Sequence, residues 1–354
     1  MRHGDIIGHR SLIEGLTRAL QSGRLPHALL FHGPEAVGKG TVARWLAAAL
    51  LCERRERGEA CGECSSCHRV RHGTHPDLLF VHKLSREIRK PGSMGDVSAE
   101  DPSPPDLSRF IRVFQIRQLA EHATYAPREA ACRVFIVDPA DDMNAESQNA
   151  FLKTLEEPPG ASLLILIASR PHQLLSTVRS RCFVVGFAPV PAAELAERLE
   201  RRGMPRAEAL ARAALAGGRP GRALALDLDG LHRRRDLLLK SLLRVAASAH
   251  ALSDLPDLAG TIVGKTEEDL EQGLDLLEAL LRDAARASAG MPAASQLHAD
   301  LVEPLDELGR LLGSRRAGEL VEAVERLRGQ LHFNINRTLL AESLVAAVAG
   351  APLP

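Results

Sequence analysis

Ala28-Leu-Leu-Phe-His-Gly33 runs straight into Gly33-Pro-Glu-Ala-Val-Gly-Lys-Gly-Thr41, and that in turn into VARWLAAALL (42–51). An apolar run, a glycine-rich loop ending in lysine, and a helix-forming segment are the strand, loop and helix of a phosphate-binding loop. Backbone N–H groups of such a loop wrap phosphate oxygens, the helix dipole adds positive potential, and Lys39 neutralises the outer phosphates. Two further apolar runs, RVFIVD (133–138) and SLLILIAS (162–169), have the length and continuity of strands buried on both faces. Alternating with helical stretches, they predict a doubly wound α/β domain. Its ligands belong at the carboxyl ends of the strands, where Gly33, Gly38, Lys39, Gly40, Thr41, Asp138 and Ser169 all fall.

The loop departs from an efficient ATPase in several places. The residue after the lysine normally supplies a hydroxyl to Mg²⁺; here it is Gly40, with Thr41 one position on, turned by about 100° on a helix. Asp138 is suited to hold Mg²⁺, but Pro139 follows where many ATPases carry the glutamate that polarises the attacking water. Losing a general base removes about two to four orders of magnitude in rate. Asp141 and Asp142 are the nearby carboxylates that would have to replace it. ATP with Mg²⁺ is the ligand that such a loop takes; binding without hydrolysis is the expectation here.

The rest of the chain sets the context. Hydrophobic residues make up 45% of the 354 but aromatics only 3%, so the core is built from Leu, Ala, Val and Ile and helix should dominate. Lys plus Arg and Asp plus Glu are both 45, so no global field draws the protein to nucleic acid or to a membrane. The strongest apolar run, 162–168, is far shorter than a bilayer span, and a cytoplasmic location follows as the expectation. The segment 84–108, rich in Pro, Ser, Gly and charge, reads as a mobile insertion. After Phe187 the pattern turns helical. We expect an α/β domain over 1–187, a small helical domain over 188–230 and an all-α domain over 231–354. The last includes a helix that Thr266 would cap, with Leu270, Leu274, Leu277 and Leu281 on one face.

Four of the six cysteines, Cys52, Cys61, Cys64 and Cys67, lie in a C-x8-C-x2-C-x2-C array. Four thiolates at this spacing close a tetrahedral site with no open position, which points to structural Zn²⁺. An iron–sulfur cluster and four free thiols are the alternatives. His68, His72 and His75 read as surface or cap residues, and Cys132 and Cys182 as small buried side chains.

The glycine loop, the cysteine array, His75-Pro-Asp77, VDPADDMN (137–144), NAFLKTLEEPP (149–159) and Ser180-Arg-Cys182 occur in an order that resembles the clamp-loader AAA+ proteins of bacterial DNA polymerase III. The resemblance spans residues 1 to 230, with a weaker echo in HFNINRTLLAESL (332–344). It implies an AAA+ domain with a zinc-binding insertion, a helical lid and a helical collar. It further implies a place in a pentameric ring, with gamma/tau and delta subunits, that loads the beta sliding clamp onto primed DNA. In that family the Ser-Arg-Cys arginine reaches into the neighbouring subunit's ATP site, a role that falls to Arg181. Ser169 stands where the family has its sensor-1 residue, and Gly221, with Arg222 displaced by one, where an active member has its sensor-2 arginine. Asp138-Pro139 in place of Asp-Glu, and the lack of a long C-terminal extension, favour the delta-prime branch over the ATP-hydrolysing gamma/tau branch, which is the alternative. An unrelated nucleoside kinase would have no use for NAFLKTLEEPP or Ser180-Arg-Cys182.

Overall fold

The computed structural model describes residues 6–83, 110–158, 160–247, 255–264, 267–292, 298, 300–330 and 336–351. The expected insertion at 84–108 and the Thr266 cap lie outside them. The chain forms two compact units, Met1–Leu226 and Asp227–Pro354.

The first unit is built on a five-stranded, all-parallel sheet. Its strands are β1 (Ala28–His32), β2 (Leu78–Val81), β3 (Arg133–Val137), β4 (Ser162–Ala168) and β5 (Phe183–Gly186), in the spatial order β2-β3-β4-β1-β5. The three strands expected from apolar runs form its centre. The two edge strands were not anticipated. Because side chains alternate across a strand, each central strand feeds two cores. Leu29, Phe31, Val134, Ile136, Ile165 and Ile167 join the core that includes α1 (Arg10–Gln21) and α2 (Lys39–Leu51). Leu30, Phe135, Val137, Leu164, Leu166 and Ala168 join the one that includes α4 (Val113–Thr124), α5 (Ala145–Glu156) and α6 (Ser176–Arg179). Between α2 and β2 lies the short helix α3 (Ser65–Arg71), which carries the last cysteine of the array. Three small helices, α7 (Ala192–Arg201), α8 (Arg206–Leu215) and α9 (Pro220–Ala225), complete the unit.

The second unit is all-helical among its described residues, with α10 (Leu228–Ala247), α11 (Leu255–Val263), α12 (Glu267–Ser288), α13 (Val302–Gln330) and α14 (Arg337–Val348). Leu270, Leu274, Leu277 and Leu281 are all buried, as their spacing predicts. Helix α13 is broken at Gly313, whose φ of 73° no ordinary helical residue adopts. Among the described residues, no helix is long and apolar enough to cross a membrane.

The His75-Pro-Asp77 motif has a structural task. The Asp77 carboxylate is fully buried and accepts the backbone N–H groups of Arg128 (2.7 Å), Glu129 (2.8 Å) and Ala130 (2.9 Å), clamping the approach to β3, while Arg133 lies at 3.5 Å. Burial pushes its carboxyl up, but the three amides and the guanidinium outweigh burial and hold it below its ordinary 3.8. Stability from such a depressed group is complete above about 3.8 and is lost as pH falls through the lower native value. Asp77→Asn should therefore cost about 1–3 kcal/mol at neutral pH in a urea titration and flatten the acid limb of the stability profile.

Candidate functional site

The glycine loop leaves β1 through three residues of positive φ, namely Gly33 (148°), Ala36 (58°) and Gly38 (115°). A side chain at Gly33 would run into the Phe187 carbonyl, so the first of these must be glycine. Gly38 caps α2 with Lys39 as its first residue. The loop is braced by a contact the sequence did not announce. His9 Nε2 donates to the Val37 carbonyl (2.9 Å), and the imidazole packs edge-on against Phe187, 4.9 Å between centroids.

Lys39 is 5% exposed, and its ammonium donates to the carbonyls of Gly33 (2.6 Å) and Pro34 (2.7 Å) and to Ser169 Oγ (3.0 Å). Two residues expected at the phosphates thus meet directly. Burial lowers the Lys39 pKa, opposed by the nearby carboxylates of Asp138, Asp141 and Glu35. Beside this group opens a cavity of about 400 Å³, lined at its polar end by Lys39, Gly40, Thr41, Asp138 and Ser169, and elsewhere by Ile6, Ile7 and Leu224. Burial also pushes the Asp138 carboxyl up, against the pull of Arg44 and Lys39. Pro139 follows it and lines the same cavity.

Neither Asp141 nor Asp142 faces that cavity as a spare base. Asp141 Oδ2 accepts the amides of Ser169 (3.1 Å) and Arg170 (2.8 Å). Asp142 pairs with Arg170 Nη2 (3.0 Å) and Lys83 Nζ (2.7 Å). Asp141 Oδ2 thus braces the turn that follows β4, and Asp142 ties that turn to Lys83 after β2. At the other wall, the Gly221 amide donates to the Ala36 carbonyl (2.9 Å), and a Cβ at Gly221 would stand 3.0 Å from that oxygen and 3.1 Å from Ala36 Cβ. Helix α9 is seated on the loop so closely that a side chain at 221 would require Ala36 to give by a few tenths of an ångström.

Arg181 does not line the cavity. It lies in the turn between α6 and β5, half-buried, with Nε donating to Glu156 Oε1 (2.8 Å), Nη2 paired with the same carboxylate, and Nη1 donating to the Thr177 carbonyl (2.9 Å). Beside it the edge strand β5 exposes Phe183 and Val184, 60% and 51% accessible.

The four array cysteines converge. Their sulfurs lie within 4.8 Å of one another, with Cys52–Cys64 and Cys61–Cys67 both at 3.9 Å. Thiolates about 2.3 Å from a tetrahedral ion stand about 3.8 Å apart, so the donor set fits a closed metal site. The amides of Cys61, Cys64 and Cys67 point at the sulfurs of Cys52 (3.3 Å), Cys61 (3.3 Å) and Cys64 (3.4 Å), which orients and stabilises thiolates. Amides of Glu63 and Cys64 pull the Cys61 thiol down to about 6, while burial pushes Cys67 up to about 12. Cys52 is the C-cap of α2 and Cys64 the N-cap of α3. Outside the array Cys182 is buried, its thiol pushed by burial to about 11, whereas Cys132 is only half-buried.

One histidine differs from its sequence reading. His68 and His72 are exposed, but His75 is 2% exposed and structural. Its Nδ1 accepts the Asp77 amide (3.1 Å), so Nε2 carries the proton toward Ser66 Oγ (3.3 Å), which donates to Glu53 (2.9 Å). This chain joins the cysteine module to the Asp77 clamp.

A family model described as "DNA polymerase III, delta subunit" matches residues 8–191. The chain is 33% identical to DNA polymerase III subunit delta' of Pseudomonas aeruginosa, over 65% of this chain and 65% of that protein. It is 28% identical to subunit delta' of Escherichia coli K12, over 95% of this chain and 92% of that protein. Subunit tau of Salmonella typhimurium is 30% identical but shares only 55% of this chain and 27% of its own length. The chain therefore spans just under two thirds of the first of these relatives and about a quarter of the last.

Chelation should lower the thermal midpoint of the intact protein by several degrees, as about 1–3 kcal/mol of stability is lost with the metal. Cys64→Ser should start from the lower midpoint and respond little to chelator. A wild-type midpoint indifferent to chelation would contradict the metal site.

Proposed function

The chain belongs to the DNA polymerase III delta-prime family, and from that premise we propose that it serves as a clamp-loader subunit whose reactive group acts on a neighbour. In this reading it assembles with gamma/tau and delta subunits into the pentameric ring that places the beta clamp on primed DNA. It supplies Arg181 in trans to an adjacent ATP site and hydrolyses little or no ATP itself.

The observation that carries the proposal is the division of labour between its two ends. At its own loop the lysine cradle is complete, but residue 40 has no hydroxyl, Pro139 stands after Asp138, and Asp141 and Asp142 are occupied by Ser169, Arg170 and Lys83. Gly221 leaves no arginine at the wall formed by α9. Nucleotide bound there would be held without a group placed to activate water. Arg181, by contrast, lies outside that cavity, beside exposed apolar side chains of an edge strand, with Glu156 as its carboxylate partner. Exchange of Glu156 for a phosphate is an exchange of one anion for another. Coverage of nearly the whole Escherichia coli delta' chain, against a quarter of a tau chain, supports the same assignment. The cysteine module we assign to one structural Zn²⁺, since four sulfurs within 4.8 Å of one another, two pairs of them at 3.9 Å, suit a tetrahedral ion with no open position. Metal analysis of the untreated protein should return one zinc per chain; iron or no metal would overturn that assignment.

An arginine supplied in trans to a phosphoryl-transfer site is worth about three to five orders of magnitude in turnover. Arg181→Ala should leave ring assembly unchanged by gel filtration and slow one phase of single-turnover ATP hydrolysis by the assembled loader about a thousandfold. Unaltered hydrolysis in an intact ring would remove Arg181 from this role.

A further inference from the structure

A phosphate loop that uses Mg²⁺ holds the ion between the hydroxyl after the lysine and a carboxylate at the end of a neighbouring strand. The residues here do not fit that ion. Residue 40 is helical and roomy, yet it offers no oxygen. A Cβ built on it would touch only two atoms, Asp138 Oδ2 at 3.5 Å and Arg44 Nη1 at 3.7 Å. The carboxylate expected beside the metal thus shares this corner with a guanidinium, which is held over the Phe80 ring at 5.5 Å from its centroid. Mg²⁺ takes six oxygens in octahedral array at about 2.1 Å, several of them usually water, and a guanidinium beside it weakens its binding. The loop offers the ion one protein oxygen fewer than usual, and a guanidinium shares the corner.

The remainder of the cavity still favours a polyphosphate. Lys39, Arg44 and Arg202 line it against Glu35 and Asp138, and the backbone arc from Gly33 to Gly38 precedes the N-terminus of the thirteen-residue helix α2. Ile6, Ile7 and Leu224 offer apolar surface for a base.

We propose that this site binds a nucleoside di- or triphosphate without Mg²⁺, with the Arg44 guanidinium supplying the counter-charge that the metal supplies elsewhere. The inference deepens the reading of the loop as a binding site that does not hydrolyse. It makes the nucleotide a ligand instead of a substrate, since without the metal nothing organises an attack on the outer phosphate.

The test is titration of the full chain with ADP and with ATP, by calorimetry and by the fluorescence of Trp45, the single tryptophan, which sits buried on α2. Binding in excess EDTA should be at least as tight as in excess magnesium chloride, which complexes free nucleotide. Arg44→Gln, at an exposed position, should weaken binding in EDTA about tenfold, the loss of one charge-assisted contact. Gly40→Ser, whose added Cβ meets only ordinary contacts, should reverse the preference and bind more tightly with magnesium. Binding that requires magnesium in the wild type, or no binding of either nucleotide in either buffer, would overturn the proposal. Neither result would touch the role of Arg181, which is read from hydrolysis by the assembled ring.

Discussion

The buried ammonium of Lys39 is the interaction on which the first unit is organised. Taking an ammonium out of water costs several kcal/mol unless its protons are all engaged. Here they are, by the carbonyls of Gly33 and Pro34 and the hydroxyl of Ser169. Those oxygens belong to the end of β1, the loop and the end of β4, so one side chain fixes the relative placement of three segments. The positive-φ residues at 33, 36 and 38 let the backbone bend around it, and His9 and Gly221 hold the bend from outside. A phosphate entering the loop takes the place of one of these oxygens at the ammonium. What the loop lacks is the machinery beyond the cradle.

Helix α2 carries this organisation across the unit. It begins at Lys39 and ends at Leu51 with Cys52 as its cap, a length of about 20 Å at 1.5 Å per residue. The phosphate loop and the first cysteine of the array are therefore the two ends of one rigid element. Trp45, Leu46, Cys64 and Cys67 share a single core along it. From the array, Glu53, Ser66 and His75 lead to Asp77, and Asp77 in turn clamps the approach to β3. Asp138 follows the last residue of that strand. Metal module and cavity are thus braced against the same sheet.

The sequence was most informative where chemistry is local. The loop, the three central strands and the cysteine spacing are short patterns whose residues also meet in space. Strands β2 and β5 escaped because four residues carry little periodicity, and their pairing is decided by β3 and β1 beside them. Phe183 and Val184 form an exposed edge that no sequence pattern marks. Through-space partners were not legible. His9 with Val37, Asp141 with Ser169 and Glu156 with Arg181 are separated by 28, 28 and 25 residues, and no local pattern marks them. His75 was misjudged for the same reason, since its burial depends on Ser66 and Asp77 together. The leucine stripe of α12 was readable from its spacing, whereas the break at Gly313 depends on a backbone angle that a lone glycine permits but does not announce.

The central claim is that the catalytic contribution of this chain lies outside its own phosphate loop. ATP turnover by the isolated, purified chain tests it most directly, measured in magnesium beside a Lys39→Ala control. The account predicts no turnover above that of the control. Steady hydrolysis abolished by Lys39→Ala would contradict it and would place an active ATPase at Gly33 to Thr41.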